Sequence, residues 1–237
     1  MPLNIGFSVG CLHTSGLNNI ASIEAIRKTG CRAIELSFLR LKDFTEDNLA
    51  HLPVPRLLEN FNYISLHAPI HGYGYDAISR SIFRDLERLH RRSLRLNLVV
   101  FHPDTVQDFG VFRELEVPFG FENMDNRKKS FRGAYEMAEL LKIVPDAKFI
   151  FDVNHLWSND PTMESAGEFY RFLGSRLAQI HLSGYSGGHV PIHVRKQVRM
   201  LNAIQDSDVP IIIESVMPPE DLIKELRYVE KYMLRKR

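Results

Sequence analysis

Short apolar runs along this chain alternate with longer stretches whose apolar side chains recur every three or four positions, the pattern of strands alternating with amphipathic helices. Six of the runs end alike. Tyr63-Ile-Ser-Leu-His67, Leu98-Val-Val-Phe-His102, Val117-Pro-Phe-Gly-Phe-Glu122, Lys148-Phe-Ile-Phe-Asp152, Ala178-Gln-Ile-His181 and Val209-Pro-Ile-Ile-Ile-Glu214 each close on a histidine or a carboxylate. A charge inside a buried strand is expensive, whereas these groups stand where a strand leaves the core, so the six ends are expected to meet.

Taken in order, Asn4–Val9 reads as the first strand and Ser22–Thr29 as a helix, with Gly30 placed for a C-terminal cap. Arg32–Leu36 is the second strand, and Tyr63–His67 the third, after a connection holding Asp43 to Asn60. The clearest helix runs over Ser79–Leu96, with Ile82, Phe83, Leu86 and Leu89 on one face and Arg80, Arg84, Arg88, Arg91 and Arg95 on another. That arginine stripe reads as a solvated outer face with Asp85 and Glu87 as partners, in preference to a nucleic-acid surface. The strands ending at His102 and Glu122 lie only about 20 residues apart, so this unit is clipped. Further helices are expected over Ser130–Lys142, Met163–Leu173, Val194–Gln205 and Pro219–Leu234, with the glycine-rich loop Ser183–Pro191 after the seventh strand. Eight strands alternating with helices predict a (β/α)8 barrel spanning 1–237 as a single domain. An open doubly wound sheet would bind at one switch point and would not draw residues from six strand ends.

Composition sets the limits. The chain has 237 residues, 44% of them hydrophobic, enough for one large core, and its net charge of +1 gives no global field toward nucleic acid or an anionic membrane. The N-terminus enters a strand with no basic leader, and no apolar stretch approaches the roughly 20 residues of a membrane span, so a cytoplasmic protein is expected. Cys11 and Cys31 fall at opposite ends of adjacent parallel strands, which argues against a disulfide.

Four histidines (His67, His102, His155, His181) and three carboxylates (Glu122, Asp152, Glu214) at one mouth make a mixed nitrogen and oxygen site, which suits zinc, manganese, iron or cobalt. Any one of them has a blander role open to it: Asp152 as a cap on the next helix, a histidine as a packed residue at the core edge. As a set they are harder to explain without a cation, because clustered carboxylates repel one another. Glu35 could reach the mouth as a supporting acid or pair with Arg32 or Arg40, and His13, His51, His71 and His90 read as surface or supporting histidines.

His67-Ala-Pro69, His102-Pro103, Glu122-Asn123, Asp152-Val-Asn-His155, His181-Leu-Ser183, His189-Val-Pro191 and Glu214 together resemble the strand ends of the xylose isomerase-like barrel superfamily, which includes endonuclease IV and many sugar isomerases and epimerases. The endonuclease IV pattern implies one metal, zinc or manganese, on His67, His102 and Glu122. It implies a second on Glu122, Asp152, His181 and Glu214, bridged by Glu122. His155 and His189 would serve a third, but Gly187 stands where that pattern has an aspartate, and His193 and Arg195 where members usually show glycines. Two adjacent ions suit phosphoester hydrolysis, with Glu122 bridging and Glu214 orienting the attacking water. Arg40, Tyr73 and Tyr75 fall in loops at the expected mouth as candidate contacts to an abasic nucleic acid. The competing reading is a sugar or sugar-phosphate isomerase or epimerase with one metal on Glu122, Asp152, His181 and Glu214. In it Glu122 and Glu214 move a proton on opposite faces of the substrate and His155 binds it. That reading leaves His67 and His102 without a metal. A third is a barrel that binds metal without catalysis.

Overall fold

The computed structural model describes residues 3–44, 57–91 and 95–236, so His51 and much of the connection before the third strand lie outside the described residues. Eight parallel strands form a closed barrel: β1 (Ile5–Ser8), β2 (Ala33–Ser37), β3 (Tyr63–His67), β4 (Leu98–Phe101), β5 (Phe119–Glu122), β6 (Lys148–Asp152), β7 (Leu177–Leu182) and, after a small antiparallel hairpin of β8 (Gly184–Tyr185) and β9 (His189–Val190), β10 (Ile211–Ile213). The order around the barrel is β1-β10-β7-β6-β5-β4-β3-β2.

Period-2 alternation divides each strand between two environments. Outward residues such as Val99, Phe101, Phe149 and Phe151 join the large core under the helices. Inward, Leu98, Val100 and Ile150 make a separate small cluster with Tyr63 and Ala178 against it. Continuing the inward parity up the barrel gives Tyr63-Ser65-His67, Ile150-Asp152 and Gln179-His181, so an apolar plug is followed by a polar layer and then by the strand-end groups. In register, Asp152 lies opposite His181 and Glu35 opposite Ser65, which puts each pair side by side on the same face.

Among the described residues the α-helices are α1 (Asn19–Arg27), α2 (Ala77–Leu89), α3 (Ala134–Ile143), α4 (Val153–Asn159), α5 (Ala166–Leu173), α6 (Ile192–Arg195), α7 (Val198–Ala203) and α8 (Leu222–Leu234). Two begin earlier than the periodicity suggests because a polar residue upstream caps them: Asn18 accepts from Ala21 N at 2.9 Å, and Asp76 accepts from Ile78 N and Ser79 N at 2.8 and 3.0 Å. The helix expected to reach Leu96 is shorter: α2 ends at Leu89, and Arg95, with a left-handed φ of 43°, and Leu96 are not helical. Arg88 and Arg91 of the arginine stripe pair with Asp85 and Glu87. The clipped unit holds: among the described residues the β4 to β5 connection carries only 3-10 turns, Pro103–Thr105 and Phe109–Glu114.

The helix expected over Val194–Gln205 is instead α6 and α7, broken at Lys196, which takes a left-handed φ of 54°. The cause is a pair of side-chain clamps. Glu225 of α8 accepts from Ile192 N and His193 N at 2.8 and 2.9 Å, and Gln197 bonds Tyr185 N and O across the hairpin. Cys11 and Cys31 are both free and buried.

At Gly6 on β1 an added Cβ would stand 1.6 Å from the Ala33 carbonyl oxygen of β2, so only glycine lets these two strands meet. Gly6→Ala is expected to destabilise the protein by roughly 4 kcal/mol or more, lowering the melting temperature by about 10 °C. A thermal melt within 2 °C or so of wild type would show that the strands part without penalty.

Candidate metal centre

Among the described residues, barrel closure brings candidate donors together in three groups, two of which share Glu122, the remaining one being Glu35, His181 and Glu214. His67, His102 and Glu122 form the first, and Glu122, Asp152 and His181 the second. Glu122 serves both because its two oxygens point apart: Oε1 is 2.8 Å from His102 Nε2, and Oε2 is 2.9 Å from His181 Nδ1. The Nε2 atoms of His67 and His102 face each other at 3.1 Å, and His67 Nε2 is 3.9 Å from Glu122 Oε1. Around His181 Nδ1 stand Glu214 Oε1 at 3.6 Å and Asp152 Oδ2 at 3.9 Å.

These separations can be tested against a cation. Bonds of about 2.0–2.1 Å in tetrahedral geometry place donors roughly 3.3 Å from one another, within the spread of 2.8–3.9 Å seen here. Glu122 Oε2, Asp152 Oδ2 and His181 Nδ1 are moreover buried without a hydrogen-bond partner. They are close to one another yet misaligned for bonding each other, as donors aimed at a common centre are. The residues fit a divalent ion in each of the two groups that share Glu122.

Tautomers support the same assignment. His67 Nδ1 bonds the Ala68 carbonyl at 3.1 Å and His155 Nδ1 the Asn123 carbonyl at 2.8 Å. A carbonyl only accepts, so each Nδ1 carries a proton, and Nε2 is the nitrogen left to take a cation. Asp152 has two jobs at once: Oδ1 caps α4 by accepting from His155 N at 2.7 Å, while Oδ2 faces the donors.

Charge is tightly interleaved. Burial pushes Glu122 up, but His102, His181 and His67 outweigh it and hold the carboxyl well below its ordinary range. Burial depresses His181, yet Glu214, Glu35 and Glu122 drive it well above the usual imidazole value. His67 is lifted the same way to about 9, against its burial, by Glu122 and Glu35. Burial lowers His102. Glu214 is pushed up to about 7 by burial and, against the pull of His181, by Glu35, Asp152 and Glu122.

Glu35 is the site residue the sequence undersold. It is fully buried on β2 and pairs with neither Arg32 nor Arg40; its Oε2 instead lies 3.1 Å from Ser65 Oγ, 2.7 Å from Gln179 Nε2 and 3.1 Å from His181 Nε2. His181 is thereby held at one nitrogen by Glu35 while the other faces Glu122, Glu214 and Asp152. A lone acid inside an otherwise apolar strand, with a lone amide at Gln179 two residues before His181, was the available signal.

His155 and His189 approach each other, with ring centres 5.9 Å apart, and His189 Nδ1 lies 3.0 Å from Ser183 Oγ. Among the described residues neither joins a group of three donors, so the third centre, already in doubt without an aspartate at Gly187, lacks its complement. Gly187 turns the hairpin at a φ of +77°, a conformation that disfavours a side chain there.

His67, His102, Glu122 and Glu214 open into a cleft of about 620 Å³ that is also lined by His155, His189, Asp125, Arg127 and Lys128, with Asp152 and His181 buried behind them. Arg40 does not line it; its exposed side chain pairs with Asp43 beside an adjoining cleft that shares Gly10, His13, Ser37 and Leu39. Tyr73 is a correction. It is 1% exposed, packed against Phe83, Phe101 and Phe112, and donates its hydroxyl to the Pro69 carbonyl at 2.7 Å, so it belongs to the core and cannot contact a substrate.

Two outcomes are expected. Tyr73→Phe should lose about 1 kcal/mol of stability for the buried hydrogen bond with metal binding unchanged, which melts and metal titration would check. The raised Glu214 carboxyl binds its proton more tightly in the folded state, so it opposes folding increasingly as pH rises from its ordinary 4.5 through about 7. In chelator-stripped protein, Glu214→Gln should therefore raise the melting temperature more at pH 8 than at pH 5; equal gains at both would refute this.

No family model and no curated protein sequence matches the chain. Solved structures do. Endonuclease IV from Thermus thermophilus superposes with a TM-score of 0.69 at 16% identity, over 98% of this chain and 99% of that one. A D-psicose 3-epimerase, crystallised in the presence of D-fructose, gives 0.62 at 15%, over 99% and 96%. An AP endonuclease of family 2 from Brucella melitensis gives 0.64 at 12%, over 96% and 99%. The resemblance read from the strand ends thus holds at the level of the fold: the chain has the closed barrel shared by endonuclease IV and the xylose isomerase-like epimerases.

Proposed function

We propose that the chain, acting as one domain, is a divalent-metal-dependent enzyme, and that its chemistry is phosphoester hydrolysis at a two-ion centre of the endonuclease IV kind. The observation that carries this is Glu122, which offers one oxygen to the His67 and His102 pair and the other to His181 and Asp152. His67, His102 and Glu122 would hold one ion, and Glu122, Asp152, His181 and Glu214 the other. When bound, two such ions acidify an attacking water and offset charge on a phosphoryl group. The side chains do the rest. Glu214, on the cleft wall beside His181, can orient the water. Arg127 and Lys128 line the cleft and can orient an anionic substrate such as an abasic nucleic acid.

The second reading, sugar or sugar-phosphate epimerisation, is favoured by the cleft volume of about 620 Å³, suited to a small ligand, and by two carboxyls, Glu122 and Glu214, on its walls. It needs only the ion on Glu122, Asp152, His181 and Glu214. Zinc and manganese are both compatible with the donors.

Elemental analysis of purified protein separates the two. Wild type is expected to hold two equivalents, falling to one in the His67→Ala, His102→Ala double variant, with Asp152→Ala losing the other. Abasic-site DNA is then the substrate to try. One equivalent, indifferent to the histidine pair, would sink the hydrolase reading and turn the search to ketoses and their phosphates.

A further inference from the structure

Three of the four histidines at the strand ends have their far nitrogen tied. His67 and His155 bond carbonyl oxygens through Nδ1, and His181 reaches Glu35 through Nε2. His102 does not: its Nδ1 is buried and without a partner. The nearest candidate is Asp104, two residues on, whose Oδ1 is also buried and unpartnered and lies 4.0 Å from that Nδ1. Two orphaned polar atoms facing each other in a buried place need an account, since each loses its hydration without compensation.

We propose that Asp104 is a positioning residue for the metal centre, its Oδ1 accepting the Nδ1 proton of His102 and so fixing the ring whose Nε2 faces His67 and Glu122. The proposal rests on the two-ion reading. Without a cation, His102 Nε2 lies 2.8 Å from Glu122 Oε1 and donates to it, which leaves Nδ1 as a bare lone pair opposite another acceptor. Nε2 can ligate only when it carries no proton, which puts the proton on Nδ1, where it meets Asp104. A movement of about 1 Å makes that hydrogen bond.

The surroundings hold Asp104 ready. Its other oxygen, Oδ2, accepts from Lys128 Nζ at 2.7 Å, which anchors it to the loop after β5. The backbone between the two groups is a 3-10 turn, Pro103–Thr105, closed by Val106 N on the Pro103 carbonyl at 3.2 Å and by Thr105 Oγ1 on the His102 carbonyl at 3.2 Å. The proline restricts that turn further. Lys128, Asp104 and His102 thus make one chain of contacts ending at the donor group of His67, His102 and Glu122.

The test titrates chelator-stripped protein with zinc chloride by calorimetry and records cobalt(II) absorption for wild type, Asp104→Ala and Asp104→Asn. Asp104→Ala is expected to weaken one of the two equivalents by about 10–100-fold, to leave the other alone and to shift the cobalt spectrum. In the zinc-loaded protein the His102 Nδ1 proton should resonate far downfield by NMR and move upfield in Asp104→Asn, a variant that keeps the side chain's shape. Unchanged zinc affinities and cobalt spectrum in Asp104→Ala overturn the proposal; should that variant fail to fold, an unmoved proton in Asp104→Asn does so. Wild type binding a single equivalent that survives His102→Ala would remove the two-ion reading and this proposal together. Two wild-type equivalents with silent Asp104 variants would remove this proposal alone.

Discussion

Four carboxylates, Glu35, Glu122, Asp152 and Glu214, are gathered in the upper layers of one closed barrel, and the rest of the site follows from the need to offset their repulsion. Two unit charges about 4 Å apart interact by roughly 4 kcal/mol at the effective dielectric of a protein, so four acids cannot share this space as bare anions. The chain answers with imidazoles set between them. His181 stands between Glu122 and Glu35, and His102 and His67 on the other side of Glu122. That balance still leaves Glu122 Oε2, Asp152 Oδ2 and His181 Nδ1 without hydrogen bonds. All three atoms belong to the donor group of Glu122, Asp152 and His181, where a divalent ion would satisfy them and offset the repulsion.

The layering of the barrel makes such a concentration of charge possible. Below it the inward residues Leu98, Val100 and Ile150 form a dry plug, and Ser65 and Gln179 supply the hydrogen bonds that let Glu35 sit fully buried. Above it the loops are pinned by side chains. Glu225, itself buried, accepts from Ile192 N, His193 N, His193 Nδ1 and Ser215 Oγ, so one carboxylate joins the loop after β7 to the residue following Glu214. His193, a departure from the glycines usual there, thus has a structural reason. The same barrel is found in hydrolases and epimerases at 12–16% identity, so the fold cannot choose between them. The choice turns on whether His67 and His102 hold an ion, which is a property of two side chains.

Much was legible in the residues themselves. Strand ends are marked because a charge is tolerated there and excluded within, so His67, His102, Glu122, Asp152, His181 and Glu214 could be picked out and their convergence inferred from barrel closure. Asp152 shows that a bland role and a functional one need not compete, since one oxygen caps α4 and the other faces the donors. Tyr73 failed for a simple reason: a loop position says nothing about whether a ring turns outward to the mouth or inward among Phe83, Phe101 and Phe112.

By itself the sequence determined the alternation of elements, the closed parallel barrel and the identity of the strand-end groups, because each follows from local periodicity and the penalty for buried charge. Only the tertiary structure decided which atoms meet. Glu35 and His181 lie 146 positions apart in the chain, yet 3.1 Å apart in space. The two directions taken by the oxygens of Glu122, the unfilled pairing of Asp104 with His102 and the missing third donor beside His155 and His189 likewise depend on register and rotamer. Those are set when eight strands close on one another, and no single stretch of chain contains them.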